Sequence, residues 1–171
     1  MKFLTTVAAA ALILGSANAA FAARAYIGTY TADPAEPRSG NNNHGEGIYL
    51  VTIDDATGAP SNPKLVAKDL SPSWVTLSAD HKFLYAVNEI ASYGNKSGSI
   101  TAYAVDQASG ALKKLNTVDS GGSIPCYASI SGKFLLVANY TGGSYSVTRI
   151  KPDGSLGETT DVVKPDGPMS V

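Results

Sequence analysis

The strongest constraint on the fold is an internal repeat. The segment GSITAYAVDQASGAL (98–112) is matched by GSYSVTRIKPDGSL (143–156), and an earlier copy, GIYLVTIDDATGA, occupies 47–59. Each copy begins with glycine, continues with alternating apolar residues and reaches a polar turn that contains glycine. Because alternation with period two is typical of a half-buried β-strand, each copy predicts a strand followed by a turn.

A second unit interleaves with the first. The segment PSWVTLSADHKFLYAVNE (72–89) matches PCYASISGKFLLVANY (125–140), which is two residues shorter at its turn. Pro72 then corresponds to Pro125, and Asn88 to Asn139. Equivalent residues are 45 to 53 positions apart, and each period contains four short alternating runs.

Four strands per repeat at this period are typical of a β-propeller blade, so the sequence predicts an all-β propeller. The alternative is a β-sandwich whose hairpins resemble one another by chance. The predicted strands are Trp74–Ser78, Phe83–Asn88, Ser99–Val105, Ala111–Val118, Cys126–Ile130, Phe134–Asn139, Ser144–Ile150 and Ser155–Val163.

The start of the repeat region fits the same pattern with one strand missing. Residues 24–30 resemble a second strand, 47–53 a third and 63–68 a fourth. The chain therefore contains about two and a half to three blades, whereas propellers have four to eight. We expect an unclosed ring, a domain over 23–171 with blade repeats near 72–118 and 125–163, and further C-terminal blades in a full-length form.

The N-terminus predicts export. Met1-Lys2 is basic, Phe3 to Leu14 carries no charge, and Ala17-Asn18-Ala19 and Ala20-Phe21-Ala22 are small-residue cleavage patterns. This order is typical of a secretory signal peptide, and the apolar run is shorter than the roughly 20 residues of a membrane span. We therefore expect residues 1–22 to be removed, after Ala22 or Ala19, and the mature protein to be periplasmic or secreted and not membrane-bound.

Composition excludes other classes of function. Thirteen basic and 14 acidic residues give no excess of positive charge for nucleic acid. The single cysteine, Cys126, has no partner within the chain for a disulfide and is expected to be a small buried residue. No zinc-ligand spacing or G-x-S-x-G motif is present, so we expect neither a metal nor another cofactor.

Three stretches carry a resemblance to a known family: YIGTYT (26–31), FLYAVNE (83–89), and GG-x-x-PC followed by GKFLLVANYTGGS (121–144). Together they resemble the seven-bladed propeller lactonases. The resemblance implies hydrolysis of a sugar lactone, such as 6-phosphogluconolactone, in carbohydrate and glucose metabolism. Family members commonly have histidine at the position of Tyr127, and a histidine-rich segment familiar in the family is absent from this chain.

The predicted topology places segments 31–46, 89–97, 119–125 and 140–142 at one end of the blades, with turns 79–82, 106–110 and 151–154 at the other. Loops on a rigid scaffold commonly carry function.

Lactone hydrolysis needs a base that activates water and groups that bind the substrate. Glu89 is the candidate catalytic base, and His44 is a weaker candidate for a catalytic role. The candidate substrate-binding residues are Arg38, Tyr30, Asn88, Tyr127, Asn139 and Tyr140. The alternative is a non-catalytic extracytoplasmic propeller that only binds a ligand.

Overall fold

The computed structural model describes residues 23–31, 45–91 and 97–166, so the predicted signal segment 1–22 lies outside the described residues. The described part contains eleven β-strands and no helix, hence no helix long and apolar enough to cross a membrane. The strands are β1 (Ala23–Gly28), β2 (Gly47–Ile53), β3 (Lys64–Lys68), β4 (Pro72–Leu77), β5 (Phe83–Asn88), β6 (Ser99–Val105), β7 (Leu112–Asp119), β8 (Pro125–Ser131), β9 (Phe134–Asn139), β10 (Ser144–Ile150) and β11 (Leu156–Val163).

The strands form three separate antiparallel sheets. Blade 1 has the order β1-β2-β3, blade 2 the order β4-β5-β6-β7, and blade 3 the order β8-β9-β10-β11. Within each blade, every strand pairs with the next one in the chain, because short turns permit antiparallel neighbours. The prediction of an all-β propeller region with two full blades, one three-stranded blade and no closed ring is confirmed.

The blades lie face to face in chain order. Strand β4 lies against β8, and β7 lies against β11, so first strands adjoin first strands and last adjoin last. Strand β1 lies against β4, and β3 against β7. The first strands therefore lie along one side of the arc, which we call the inner side, and blade 1 has the second, third and fourth strand positions of a blade, as expected.

Two apolar cores lie between the blades. Between blades 1 and 2, Ile48, Leu84 and Tyr103 are fully buried. Between blades 2 and 3, Tyr85 and Leu135 are buried with other apolar side chains. Since alternate residues of each strand face opposite neighbours, the period-two pattern of the sequence supplies both cores.

At one end of the arc, blades 1 and 2 each form a hydrogen bond to a turn of the following blade. The Tyr26 hydroxyl of blade 1 donates to the Gly110 carbonyl of blade 2 at 2.9 Å. The Tyr85 hydroxyl of blade 2 donates to the Gly154 carbonyl of blade 3 at 3.1 Å. Burial raises the pKa of Tyr85 to about 12, which keeps this hydroxyl a donor at neutral pH. The two equivalent bonds fix how neighbouring blades are placed.

The repeated aspartates at these turns have a structural role. In each turn, one carboxylate oxygen accepts a hydrogen bond from a backbone amide two or three residues on and another from the hydroxyl of that same residue. These bonds stabilise the charged form and hold the pKa of each aspartate below its usual value. The donor–acceptor pairs are Thr57 to Asp54, Ser109 to Asp106 and Ser155 to Asp153.

Candidate functional site

At the opposite end of the arc, the connecting loops of blades 2 and 3 meet. The Ile124 amide donates to the Ile90 carbonyl at 3.3 Å, and the Tyr140 amide donates to the Ile124 carbonyl at 2.8 Å. The Ser123 hydroxyl donates to the Ala91 carbonyl at 3.4 Å. The loops that follow β5, β7 and β9 therefore share one end, as the predicted topology required. We call this end the loop face.

Blade 1 joins the loop face through two buried side chains. The Ser71 amide donates to the Thr31 hydroxyl at 3.0 Å, and the Thr31 amide donates to the Ser71 hydroxyl at 3.3 Å. The Ser71 carbonyl also accepts from the Glu89 amide at 2.9 Å. Ser71 therefore links the ends of two blades and fixes the backbone on which Glu89 is carried.

Two of the predicted site residues are in direct contact on this face. The Tyr30 hydroxyl donates to Glu89 Oε2 at 2.7 Å, a distance typical of a charge-assisted bond. The two residues follow equivalent strands, β1 and β5, in neighbouring blades. Glu89 is partly buried, and Tyr30 is 45% exposed. A partly buried carboxylate that is held by a tyrosine hydroxyl can accept a proton from a bound molecule.

The structure places Asn88 inside blade 2, where its amide bonds to protein groups. Its Nδ2 donates to the Leu70 carbonyl at 2.8 Å, and its Oδ1 accepts from the hydroxyls of Ser99 and Thr101 at 3.2 and 2.8 Å. Asn88 also lies at the wall of a cleft of about 550 Å³ between blades 1 and 2, which Lys68 borders as well. Its amide thus fixes the strand end that leads into the loop face.

Asn139 has the equivalent position in blade 3 and is similarly buried. Its Nδ2 donates to the Ser144 hydroxyl at 3.3 Å and the Ser120 carbonyl at 3.5 Å. Among the described residues its Oδ1 has no hydrogen-bond partner, although the atom is buried. Gly122 covers the amide, since a Cβ at this position would lie 2.5 Å from Asn139 Cγ. A side chain at position 122 would therefore displace the loop.

The remaining predicted tyrosines are exposed. Tyr140 is 79% exposed, and Tyr127 is 46% exposed with its ring centroid 4.8 Å from that of Trp74. Cys126, next to Tyr127, is only partly buried, whereas the sequence predicted a small buried residue. Burial raises the pKa of its thiol, and the negative charge of Glu89 adds to the effect.

Arg38 and His44, the predicted anion contact and weaker catalytic candidate, lie outside the described residues. No group of three or more His, Cys, Asp or Glu side chains that could hold a metal occurs in 23–31, 45–91 and 97–166. The described part of the site therefore consists of Glu89, its tyrosine partner and the exposed aromatic side chains near them.

The sequence did not reveal two features of this site. Ser71 and Ile124, which directly precede prolines, have φ values of 40° and 53°. Left-handed backbone is rare for such residues and costs about 1–3 kcal/mol each. The pairing of Trp74 with Tyr127 was also missed, although both lie two residues after the equivalent prolines Pro72 and Pro125. That alignment was the signal that could have indicated an aromatic cluster.

These observations define a β-propeller whose loop face carries a tyrosine-bound carboxylate and exposed aromatic rings. The chain belongs to the lactonase family of seven-bladed β-propellers, because the sequence model of that family matches residues 24–171. The resemblance predicted from the sequence is thereby confirmed.

Individual relatives agree with this assignment. The chain is 35% identical to the 6-phosphogluconolactonase of Bacillus subtilis (strain 168) over 133 residues, which are 77% of this chain and 34% of the relative. A second relative, the 6-phosphogluconolactonase of Formosa agariphila, is 34% identical over 66% of this chain and 32% of its own length. The chain thus spans about a third of the length of the curated relatives it matches.

Solved structures support the fold at similar identity. The periplasmic gluconolactonase PpgL of Pseudomonas aeruginosa superposes with a TM-score of 0.68 at 32% identity, over 81% of this chain and 37% of that structure. A Bacteroides fragilis protein provisionally assigned as a 6-phosphogluconolactonase gives a TM-score of 0.74 at 33% identity, over 88% and 38% of the two chains.

Proposed function

We propose that the protein containing this chain hydrolyses a sugar lactone and that Glu89 is its general base. The observation that carries the proposal is the 2.7 Å bond between the Tyr30 hydroxyl and Glu89 Oε2 at the loop face of a lactonase-family propeller. The names of its relatives, 6-phosphogluconolactonase and gluconolactonase, support a six-carbon sugar lactone as substrate class.

In the proposed reaction, Glu89 accepts a proton from water as the water oxygen attacks the lactone carbonyl carbon. The carbonyl π electrons move to oxygen, and the tetrahedral adduct then breaks its ring C–O bond. The departing ring oxygen takes the proton held by Glu89 and becomes a hydroxyl, which returns Glu89 to the carboxylate, while the new carboxylic acid ionises. Only water is consumed, and the product is the open hydroxy acid.

The hydrogen bond from Tyr30 uses Oε2 of the carboxylate. The other carboxylate oxygen, Glu89 Oε1, would receive the proton. A rigidly held base matters because a displacement of about 1 Å can reduce the rate roughly 10²-fold. Tyr30 would in this way orient the base as well as border the substrate.

The other predicted residues have distinct parts in the proposal. Tyr127 and Tyr140, which are exposed, would contact the substrate directly. Asn88 and Asn139, whose amides are buried, would act by holding the ends of β5 and β9 in place. Arg38 would bind an anionic group of the substrate, such as a phosphate.

We also propose that the protein is exported, with cleavage after Ala22 or Ala19. The basic start, uncharged run and small-residue pattern of residues 1–22 support the proposal, as does the likeness to a periplasmic gluconolactonase. N-terminal sequencing of the protein from its producing cell would give Ala23 or Ala20 as first residue, whereas an intact Met1 on cytoplasmic protein would contradict export.

The proposed base is tested by Glu89→Gln in a propeller of the relatives' full length that contains this chain. We expect at least about a tenfold loss of kcat for opening of 6-phosphogluconolactone or glucono-δ-lactone, because general base catalysis contributes about 10²–10⁴-fold. Spontaneous opening must be subtracted at each pH.

The matched control is Glu158→Gln, an exposed glutamate on the outermost strand β11. It should leave the rate unchanged. An unchanged rate for Glu89→Gln would refute the base assignment but not lactone hydrolysis. A full-length protein that opens no sugar lactone would instead favour the non-catalytic binding propeller.

A further inference from the structure

The inner side of the arc carries an aromatic pair, of which the proposed function uses only Tyr127. Trp74 on β4 and Tyr127 on β8 have ring centroids 4.8 Å apart and ring planes inclined by 50°. Both rings are close to half exposed, at 41% and 46%. Large aromatic side chains usually bury most of their surface, so an exposed pair in contact commonly marks a ligand or partner site.

The tryptophan ring is held in one orientation by the backbone. Trp74 Nε1 donates to the Ala128 carbonyl at 3.0 Å, across from β4 to β8. Because the polar atom of the indole is already bonded, the exposed part of the side chain is the apolar ring itself. A fixed aromatic face loses little side-chain entropy when a ligand stacks on it.

A groove of about 590 Å³ extends from this pair along the two inner strands. Its volume falls within the usual range of about 300–1,000 Å³ for small-molecule sites. Its walls include the hydroxyl residues Thr76 and Ser129 beside the rings. Aromatic faces beside hydroxyl groups suit a sugar ring, which has apolar C–H faces and polar edges.

The pair lies close to the proposed base. Trp74 pairs with Val87, which precedes Glu89 by two residues along the same segment. The groove runs from the rings toward Ser78 and Gly132, away from Glu89. The rings are therefore the part of the groove nearest to the carboxylate.

We propose that Trp74 and Tyr127 form a stacking platform that binds the ring of the sugar lactone in the inner groove. The proposal rests on the proposed function for the identity of the sugar. The platform is a binding site in addition to the proposed base: Trp74 stacks on the face of the sugar ring, whereas Glu89 activates the water that attacks the carbonyl.

The platform can be tested without catalysis through the fluorescence of Trp74, the single tryptophan of this chain. Its emission is taken as the difference between the full-length protein and the Trp74→Phe variant of that protein, and is titrated with glucono-δ-lactone, with D-glucose as a stable ring, and with sorbitol as an open chain of similar hydroxyl content. We expect a saturable change of emission with both rings and none with sorbitol. Equal responses to all three, or no saturable response to the rings, would overturn the platform.

Variants separate stacking from general damage. Tyr127→Ala should weaken ring binding at least about threefold, as expected for loss of one aromatic contact, and Tyr127→Phe should restore it. Tyr145→Ala removes a similarly exposed tyrosine, 43% exposed on β10 and outside the groove, and should change nothing. Equal weakening by Tyr127→Ala and Tyr145→Ala would refute the assignment.

Kinetics distinguish this proposal from the proposed function. In an active full-length protein, Trp74→Ala should raise KM at least about threefold with kcat retained, and Trp74→Phe should largely recover KM. Ring binding without hydrolysis would leave the platform standing and refute the lactonase activity. Hydrolysis with KM unchanged in Trp74→Ala would refute the platform and leave the lactonase activity standing. An indole that acrylamide cannot quench in the ligand-free protein would also refute the platform.

Discussion

Two buried tyrosines provide a matched test of how polar groups stabilise the blades. Tyr103 and Tyr85 are each 1% exposed, and each donates one hydrogen bond through its hydroxyl. Tyr103 donates to the carboxylate of Asp69 at 2.6 Å, whereas Tyr85 donates to the Gly154 carbonyl at 3.1 Å. Burial and the adjacent Asp69 charge raise the pKa of Tyr103, so it remains a donor at neutral pH.

Replacement of each tyrosine by phenylalanine removes only the hydroxyl. A bond to a charged group contributes about 1.5–3 kcal/mol, against about 0.5–1.5 kcal/mol for a neutral pair. Tyr103→Phe should therefore lower the free energy of unfolding by about 1 kcal/mol more than Tyr85→Phe. The larger effect arises because the substitution leaves the Asp69 carboxylate with one bond fewer.

Urea unfolding followed by circular dichroism measures the difference. With an m value of about 2 kcal/mol/M, a difference of about 1 kcal/mol separates the two midpoints by about 0.5 M. The m values themselves should agree, since neither substitution changes the buried surface much. Equal midpoints, or a lower midpoint for Tyr85→Phe, would refute the assignment of the stronger bond to Asp69.

Two further predictions concern the turns that face away from the site. The folded-state pKa of Asp106 is lower than its unfolded value, so its stabilising effect is present above the unfolded pKa and is lost as pH falls through the folded one. Urea midpoints measured from about pH 6 to 3 should fall less steeply for Asp106→Asn than for the unmodified chain; parallel curves would contradict this. Gly154 has a φ of 81°, and a Cβ there would lie 2.1 Å from the Phe83 ring, whereas Gly132 has a φ of 55° and nothing within 4 Å. Gly154→Ala should therefore destabilise by about 1–3 kcal/mol more than Gly132→Ala, and equal melting temperatures would show that the contact relaxes freely.

Much of the fold could be predicted because the sequence pattern is local. Phe83–Asn88, Ser99–Val105, Phe134–Asn139 and Ser144–Ile150 were predicted with the bounds the structure gives. Apolar alternation and glycine at the turns determine these strands. The first strands of blades 2 and 3 were predicted two residues and one residue too late, at Trp74 and Cys126. Proline begins both strands, and a register shift follows it in each.

The site could be predicted only in part, because it depends on contacts between blades. The topology indicated which loops share an end, and the equivalence of strand ends brought Tyr30 and Glu89 to one face. No local pattern indicated that the Asn88 amide turns inward, since its partners, Leu70, Ser99 and Thr101, lie on other segments. The left-handed backbone at Ile124 is likewise imposed by its neighbours, not by its own preference.

The tyrosine bonds between blades also have a direction, which bears on recombination of the repeats. Tyr26 and Tyr85 each donate forward, to the turn of the following blade. The position equivalent to Tyr85 in blade 3 is Leu136, which has no hydroxyl to donate. A unit grafted after blade 2 would need a turn carbonyl at the position equivalent to Gly154 to retain the hydrogen bond from Tyr85. A unit grafted after blade 3 would need no acceptor for this particular bond, since Leu136 offers no donor.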